Sequence, residues 1–125
     1  MDKLYIIKIG GNIIDHESKL DHFLSDFSSV QGKKILVHGG GKLATRLAEQ
    51  MGVQQQLVDG RRITDAETLK IVTMVYAGQI NKNIVASLQA KNCNALGLTG
   101  ADGDLILAHK RQHPVMDYGY VGDVD

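Results

Sequence analysis

Two short apolar segments, each closely followed by consecutive glycines, constrain the fold of this chain more than any other feature. Leu4–Ile9 ends at Gly10 and Gly11, and Lys34–Val37 is followed, after one histidine, by Gly39–Gly41. Short apolar runs bounded by turn residues are typical of buried strands. Because a helical pattern follows each run, the first half of the chain predicts the order β-α-β-α and a parallel sheet with right-handed crossovers.

Both helical patterns carry their apolar residues on one face. The first, Ser18–Val30, begins at a predicted capping arrangement of Ser18 with Asp21. Its apolar residues recur at i, i+3, i+4 and i+7, and they are Leu20, Phe23, Leu24 and Phe27. The second, Lys42–Met51, has an apolar residue at every fourth position: Leu43, Leu47 and Met51. Gly52 is then predicted to end this helix as its C′ residue.

Further strands are predicted after residue 53, and they are Gln54–Val58, Arg62–Ile63, Asn94–Leu98, Leu105–Arg111 and Tyr120–Asp125. The dipeptide Asp59-Gly60 predicts that the first two pair as a hairpin. Asn94–Leu98 is predicted to be a third strand of the core. At 125 residues, without a repeat or a linker, the chain is predicted to form one domain.

A long helix is predicted from about residue 65 to residue 91. Thr64 and Glu67 have the spacing of a capping box at its start. At 1.5 Å per residue this helix would be about 40 Å long. Its apolar stripe consists of Leu69, Val72, Tyr76, Ile80, Ile84 and Leu88, and it is widened by Ile71, Val75 and Val85. One sheet covers one side of a helix, so the second apolar flank predicts another partner, with Gly78 allowing a close helix–helix crossing.

The composition excludes several classes of protein. Lysine and arginine number 14, as do aspartate and glutamate, so the chain lacks the basic excess of a nucleic-acid or membrane-surface protein. No apolar run approaches the ~18 residues of a membrane-spanning helix. Cys93 is the single cysteine, which excludes an intramolecular disulfide. We therefore expect a soluble, cytoplasmic protein, since the amino terminus also lacks the layout of a signal peptide.

The two glycine clusters are the candidate ligand site. Ligands of α/β proteins bind at the carboxyl ends of parallel strands, where glycines let backbone N–H groups approach an anion closely. Lys8 precedes the first cluster and is placed to reach the same anion, which would be a phosphate, a carboxylate or both. The competing interpretation is that these glycines serve only tight turns. His38 is expected to orient the second cluster or to pack beneath it.

Known glycine motifs do not fit these clusters. A Walker A loop needs a glycine where Leu36 stands and a serine or threonine where Leu43 stands. A Rossmann fingerprint needs G-x-G-x-x-G after the first strand, and the oxyanion loop of lipases needs a G-x-S-x-G elsewhere. Neither pattern is present. The aspartates around Gly103 lack the spacing of a calcium loop, so Asp102 and Asp104 are expected to stabilise a turn.

Five segments together resemble the amino acid kinase family. They are Ile6-Ile7-Lys8-Ile9-Gly10-Gly11-Asn12, Val37-His38-Gly39-Gly40-Gly41, Gly60-Arg61-Arg62-Ile63-Thr64-Asp65, Gly97-Leu98-Thr99-Gly100-Ala101-Asp102-Gly103 and Tyr118-Gly119-Tyr120-Val121-Gly122-Asp123-Val124. The resemblance implies an α/β fold, a three-layer αβα sandwich with a mainly parallel central sheet. Family members are about twice as long, so residues 1–125 would be the amino-terminal, substrate-binding lobe, with the ATP-binding carboxyl-terminal half absent from this chain.

The resemblance also implies an activity and its partners. The order and spacing of the motifs look like those of members that phosphorylate the γ-carboxylate of N-acetyl-L-glutamate in arginine biosynthesis. ATP with Mg²⁺ would be the co-substrate, bound mainly by the other half, and neither a prosthetic group nor a metal site of this chain is implied. A two-fold homodimer through the helix near residues 65–91 is implied as well, with no nucleic-acid or membrane partner.

At the phosphoryl end of the site, the resemblance gives three residues a role. Lys8 matches the catalytic lysine that stabilises charge on the transferring phosphoryl group. Gly10 and Gly11 match the turn whose backbone faces that group. These roles agree with the chemistry, because phosphoryl transfer needs positioning and charge neutralisation more than covalent catalysis.

At the acceptor end, Gly40 and Gly41 match the backbone that holds the acylated amino acid. Arg62 matches the arginine that pairs with its α-carboxylate, and a planar guanidinium suits a carboxylate. Arg61 beside it is expected to be a solvated charge. Two alternatives stay open: a non-catalytic module that binds an amino acid or another anion in this site, and a related kinase that acts on a differently acylated glutamate.

Overall fold

The computed structural model describes residues 3–125, and its elements alternate through the first half of the chain as predicted. The strands are β1 (Leu4–Ile9), β2 (Lys33–His38), β3 (Gln56–Val58), β4 (Arg61–Ile63), β5 (Ala108–Lys110) and β6 (Gly122–Val124). The helices are α1 (Gly11–Ile14), α2 (Glu17–Ser29), α3 (Leu43–Gln50), α4 (Ala66–Thr73), a π-helical segment (Met74–Ile80), α5 (Asn81–Ala90) and a 3₁₀ turn (Asp102–Asp104).

β1 and β2 form a parallel pair, which confirms the predicted α/β class. Their register runs from Leu4 opposite Lys33 to Ile9 opposite His38. The face that carries Ile9 packs into the core. The opposite face is exposed and apolar, and it consists of Leu4, Ile6, Ile35 and Val37. In the described residues, helices therefore cover one face of the β1–β2 sheet, and the other face is exposed.

α2 packs its predicted face into the core. Leu24 and Phe27 are buried, and α2 contacts α5. The predicted cap at Ser18 is wrong: α2 begins one residue earlier, after His16, and no side chain caps it. At the other end, the ammonium of Lys34 donates hydrogen bonds of 2.7–2.9 Å to three carbonyls at the end of α2. A cation there also interacts favourably with the helix dipole.

α3 ends as predicted, but its buried face is shifted. Ala44 and Ala48 are buried, whereas Met51 of the predicted stripe is 55% exposed. Small side chains allow α3 to approach α4 and the π-helical segment closely. At its end, the N–H of Val53 donates to the carbonyl of Ala48 at 2.9 Å, and Gly52 occupies the C′ position of this Schellman motif.

The hairpin of β3 and β4 is confirmed, with Asp59 and Gly60 as its two turn residues. The cap of the following helix lies one residue later than predicted. Asp65, rather than Thr64, is the N-cap, and its carboxylate accepts a hydrogen bond from the N–H of Thr68 at 2.8 Å. This bond holds the pKa of Asp65 below its usual range. Aspartate outranks threonine as an N-cap, which accounts for the shift.

The predicted long helix is confirmed from Ala66 to Ala90, but its middle, Met74–Ile80, is π-helical. Residues of both apolar flanks are buried within this chain, namely Ile71, Val75, Ile80, Ile84 and Leu88. Helix α2 contacts this helix at α5, and helix α3 contacts it at α4 and at the π-helical segment. The argument that the second flank needs another chain is therefore wrong.

The prediction of a third core strand at Asn94–Leu98 is also wrong. In the described part of the chain this segment pairs with no strand, and Leu96 is 84% exposed. Side chains hold it instead, including that of Gln89, which donates to the Ala95 carbonyl at 3.1 Å. β5 and β6 are shorter than predicted and pair antiparallel with each other.

Candidate functional site

The two glycine turns that follow β1 and β2 touch each other. A Cβ atom placed on Gly11 would lie 3.1 Å from the Cα atom of Gly41. The parallel register explains this contact, because Ile9 and His38 are paired at the carboxyl ends of their strands. The prediction that both clusters lie at one edge of the sheet is thus confirmed for this pair of residues.

Asp15 joins the two turns, and sequence reasoning missed it. It directly follows α1, and its carboxylate accepts a hydrogen bond from the backbone N–H of Lys42 at 2.9 Å. Gly41 has a φ of +55°, and a side chain there would also collide with the Asp15 carboxylate. The available signal was an acidic residue directly after the apolar pair Ile13-Ile14, four positions beyond a glycine turn.

Gly40 is buried beneath an aromatic ring. The side chain of Tyr76 occupies the space in which a Cβ atom of Gly40 would stand. Tyr76 belongs to the π-helical segment, and a π-helical insertion changes which side chains a helix presents to its neighbours. The glycine turn is therefore packed against the long helix. Helical periodicity had placed Tyr76 in the core stripe without indicating this contact.

Lys8 and Gly10 lie at the end of β1. Lys8 is exposed, pairs with Val37 across the sheet and shares the exposed face with Leu4 and Ile6. Among residues 3–125, no side chain forms an ion pair or hydrogen bond with its ammonium. Gly10 is extended, caps the single turn of α1 and has open space where a Cβ atom would stand. Both residues are accessible to a ligand.

Arg62 points toward the first turn of α3. Its Nη2 atom donates to the hydroxyl of Thr45 at 2.6 Å. Its Nε atom is buried and has no hydrogen-bond acceptor in the described structure. Buried donors are normally paired, so this unpaired guanidinium N–H, on a side chain that reaches the first turn of α3, is an exception in the described structure. A carboxylate is the acceptor that a guanidinium fits best.

A cleft of about 380 Å³ opens between α1 and α3. It is lined by Gly11, Asn12, Asp15, His16, Gly41, Lys42 and Arg46. The cleft therefore brings one residue of each glycine turn together with Lys42 and Arg46, two cations that sequence reasoning did not select. Three predicted site residues do not line this cleft: Lys8 lies on β1, Gly40 lies beneath Tyr76, and Arg62 lies on β4.

Two other sequence expectations are tested by side-chain contacts. Asp102 stabilises a turn as predicted, because its carboxylate accepts hydrogen bonds from the N–H and the hydroxyl of Thr99. The N–H bond is the main cause of the lowered pKa of Asp102. His38 contacts the second glycine turn, with its Nδ1 atom 2.8 Å from the carbonyl oxygen of Gly39.

The sequence matches the amino acid kinase family over residues 3–125, which is almost its full length. The chain belongs to the amino acid kinase family. This confirms the resemblance that the five motifs predicted. Within residues 3–125, no helix is long and apolar enough to cross a membrane.

Several curated relatives of this chain carry the same name. The chain is 64% identical to "Acetylglutamate kinase" from Cytophaga hutchinsonii and 61% identical to that from Phocaeicola vulgatus, over 99% of its length. It is 45% identical to the protein of the same name from Methanopyrus kandleri over 95% of its length. The match covers 47–48% of these relatives, so the chain spans about half the length of the curated relatives it matches.

Solved structures also resemble this chain over all or nearly all of its length. One is smu.665 from Streptococcus mutans UA159, with a TM-score of 0.76 and 25% identity, over 100% of this chain and 51% of that one. Another is N-acetylglutamate synthase from Neisseria gonorrhoeae, complexed with coenzyme A and N-acetyl-glutamate. Its TM-score is 0.74 at 21% identity, over 97% of this chain and 28% of that one. The second likeness shows the fold alone.

Proposed function

We propose that this chain carries the acceptor-substrate site of an acetylglutamate kinase, which phosphorylates the γ-carboxylate of N-acetyl-L-glutamate with ATP in arginine biosynthesis. The observation that carries the proposal is the contact between the Gly10–Gly11 and Gly39–Gly41 turns, together with the unpaired guanidinium N–H of Arg62, whose side chain reaches Thr45 in the first turn of α3. The shared name of relatives at 45–64% identity supports the choice of substrate.

In this proposal the two ends of the substrate meet different groups. Arg62 pairs with the α-carboxylate, and the backbone N–H groups of Gly40 and Gly41 hold the acylated amino acid. A charge-assisted pair with a guanidinium fixes both distance and direction, which positions the γ-carboxylate for reaction.

The chemical step is an in-line displacement. An oxygen of the γ-carboxylate attacks the γ-phosphorus of MgATP, the bond to the β–γ bridging oxygen breaks, and ADP leaves with the electron pair. The products are an acyl phosphate and ADP. Lys8 and the backbone of Gly10 and Gly11 stabilise the charge on the transferring group, which is the main requirement of phosphoryl transfer.

The nucleotide site is proposed to lie in the part of the relatives that this chain does not match, since the chain spans about half their length. We expect the protein to work in the cytoplasm on a small molecule, not on nucleic acid or membrane, in keeping with its balanced charge. In a coupled assay of ADP release, the 125-residue chain alone should show no turnover.

A homodimer through the long helix is part of the same proposal. Met74 is 49% exposed, and nothing lies within 4 Å of a Cβ atom placed on Gly78. This leaves one side of the π-helical segment open to a second helix. Sedimentation of the wild-type chain should then show a dimer and Gly78→Leu a monomer; two monomers at tens of micromolar would remove this helix as the interface.

Calorimetry tests the function most simply. N-acetyl-L-glutamate should bind the wild-type protein, and Arg62→Lys should weaken binding by about 1.5–3 kcal/mol, the range for a hydrogen bond to a charged group. The matched control is Arg61→Lys, because Arg61 is its exposed neighbour on β4. Equal affinities of the wild type and Arg62→Lys would place the carboxylate elsewhere.

A further inference from the structure

A buried asparagine contacts the second glycine turn through a histidine. Asn81 is 8% exposed and is the first residue of α5, between Ile80 and the rest of the core stripe. Its Nδ2 atom lies 3.1 Å from Nε2 of His38, the last residue of β2. A polar side chain at a core position is retained only when it is hydrogen-bonded, so its partners define what it does.

Lys82 fixes the orientation of the Asn81 amide. The Lys82 ammonium donates to the Asn81 Oδ1 atom at 3.0 Å and to the Gly97 carbonyl at 2.8 Å. An ammonium only donates, so the oxygen of the amide must face Lys82. The amide NH₂ group therefore faces the other way, toward Nε2 of His38 and toward the Leu98 carbonyl at 3.4 Å.

The amide in turn selects one tautomer of His38. Because Asn81 donates, Nε2 must offer its lone pair. On the other side of the ring, the Gly39 carbonyl is 2.8 Å from Nδ1 and only accepts, so Nδ1 carries the proton. These two contacts fit the neutral Nδ1–H ring, and the other tautomer would lose both.

The Gly39 carbonyl determines where the next N–H points. The chain has no cis peptide bond in its described residues, and a trans peptide directs its C=O and N–H oppositely. The N–H of Gly40 is therefore turned away from the His38 ring. No described residue accepts a hydrogen bond from it.

We propose that Asn81 is a positioning residue of the substrate site, which through the Nδ1–H tautomer of His38 fixes the Gly40 N–H in the orientation that receives an oxygen of the acylated amino acid. This inference rests on the proposed function for the identity of the ligand. It adds a chain of contacts, from Lys82 through Asn81 and His38 to the Gly39–Gly40 peptide, that the family motifs do not describe.

Asn81→Asp tests the chain of contacts, because a carboxylate has the shape of the amide but only accepts. Nε2 of His38 must then carry a proton, and at a pH high enough that the imidazole holds only one proton, Nδ1 no longer donates to Gly39. Long-range ¹H–¹⁵N spectra of the imidazole should show the Nδ1–H tautomer in the wild type and its loss in Asn81→Asp, together with a shift of the Gly40 amide signal. Asn83→Asp is the control, since it adds the same charge at an exposed position of α5.

Binding of N-acetyl-L-glutamate to the same proteins gives the functional readout. Affinity should fall roughly tenfold or more in Asn81→Asp, the factor for losing one hydrogen bond to a charged group, and stay unchanged in Asn83→Asp. His38→Leu should weaken binding likewise, and His38→Asn, which retains a donor near the Nδ1 position, should restore part of it. This second pair keeps the test decisive if Asn81→Asp fails to fold.

The outcomes separate this inference from the function. An unchanged ring and Gly40 amide in folded Asn81→Asp, or equal affinity of His38→Leu and His38→Asn, would overturn the inference while the function stands. A wild-type protein that does not bind N-acetyl-L-glutamate, but whose ring and Gly40 amide respond to Asn81→Asp, would overturn the proposed function and leave the positioning role of Asn81 intact.

Discussion

Residues 3–91 and residues 92–125 are built in different ways. Every buried apolar side chain of the described structure except Tyr118 lies between Ile9 and Leu88. The later region is held by turns, by the short β5–β6 pair and by hydrogen bonds to Thr64, while its large apolar side chains, such as Leu96 and Val115, are exposed. The first region can carry a site on packed elements, whereas the position of the second region depends on its hydrogen bonds to Thr64.

The largest expected effect comes from removing a core side chain of the first region. Leu24 of α2 is fully buried, so Leu24→Ala should lower the free energy of unfolding by about 2–5 kcal/mol, through lost transfer energy and a cavity. Urea denaturation measures this. Leu96→Ala, at a position 84% exposed, should change it by less than about 0.5 kcal/mol. Similar losses in the two variants would contradict the contrast between the regions.

The attachment of the second region gives the next effect. Gly119 has a φ of +73°, and a Cβ atom there would collide with the carbonyl of Thr64, which accepts a hydrogen bond from the Tyr120 N–H at 2.7 Å. Gly119→Ala should therefore cost more than the roughly 1–2 kcal/mol of the left-handed conformation alone. Hydrogen exchange should rise around β5 and β6 but not in α2.

Gly103→Ala is the matched control, because Gly103 has a φ of +58° and open space at its Cβ position. It should show the conformational cost without the collision. If hydrogen exchange around β5 and β6 rises equally in Gly119→Ala and Gly103→Ala, the contact with Thr64 does not hold the second region.

A smaller, pH-dependent effect is expected at the N-cap of the long helix. The Thr68 N–H lowers the pKa of Asp65, so the ionised cap stabilises the fold above the ordinary carboxyl pKa of about 3.9. That contribution is lost as the pH falls through the lowered pKa of the folded state. Asp65→Ala should unfold at lower urea than the wild type at neutral pH and approach it in acid.

Asp65→Asn separates charge from hydrogen bonding, since asparagine is also a good N-cap. Its urea midpoint should lack the acid dependence that Asp65 contributes. The urea midpoints of the wild type and Asp65→Ala should converge in acid. If the difference between them stays constant from pH 7 into acid, the cap is not an ionised carboxylate.

The same contrast explains how far the sequence predicts this molecule. β1 and β2 follow from short apolar runs that end at glycines, and α2 and the long helix follow from apolar periodicity, because each of them buries a face within residues 3–91. The Asn94–Leu98 strand failed because a strand needs a neighbour, and apolar composition does not show whether one is present. The N-cap lies two residues before Ser18 in α2 and one residue after Thr64 in the long helix, where two polar side chains compete at the helix start.

At the site, the glycine turns were predictable from their position after two strands, because parallel pairing brings both strand ends to one edge. The contacts of Asp15, Tyr76 and Asn81 with Gly41, Gly40 and His38 were not predicted, because they join segments distant in sequence. The π-helical segment that turns Tyr76 onto Gly40 has no marker in the periodicity.

The central claim is that the packed first region holds the substrate, and an NMR titration with N-acetyl-L-glutamate tests it most directly. The account predicts saturable shifts of the Gly11, Gly40 and Gly41 amides and of the Arg62 Nε–H, which is buried without an acceptor in the free structure. It predicts no comparable shifts in residues 100–125. Saturable shifts confined to residues 100–125, or none at the Arg62 Nε–H and the glycine turns, would contradict it.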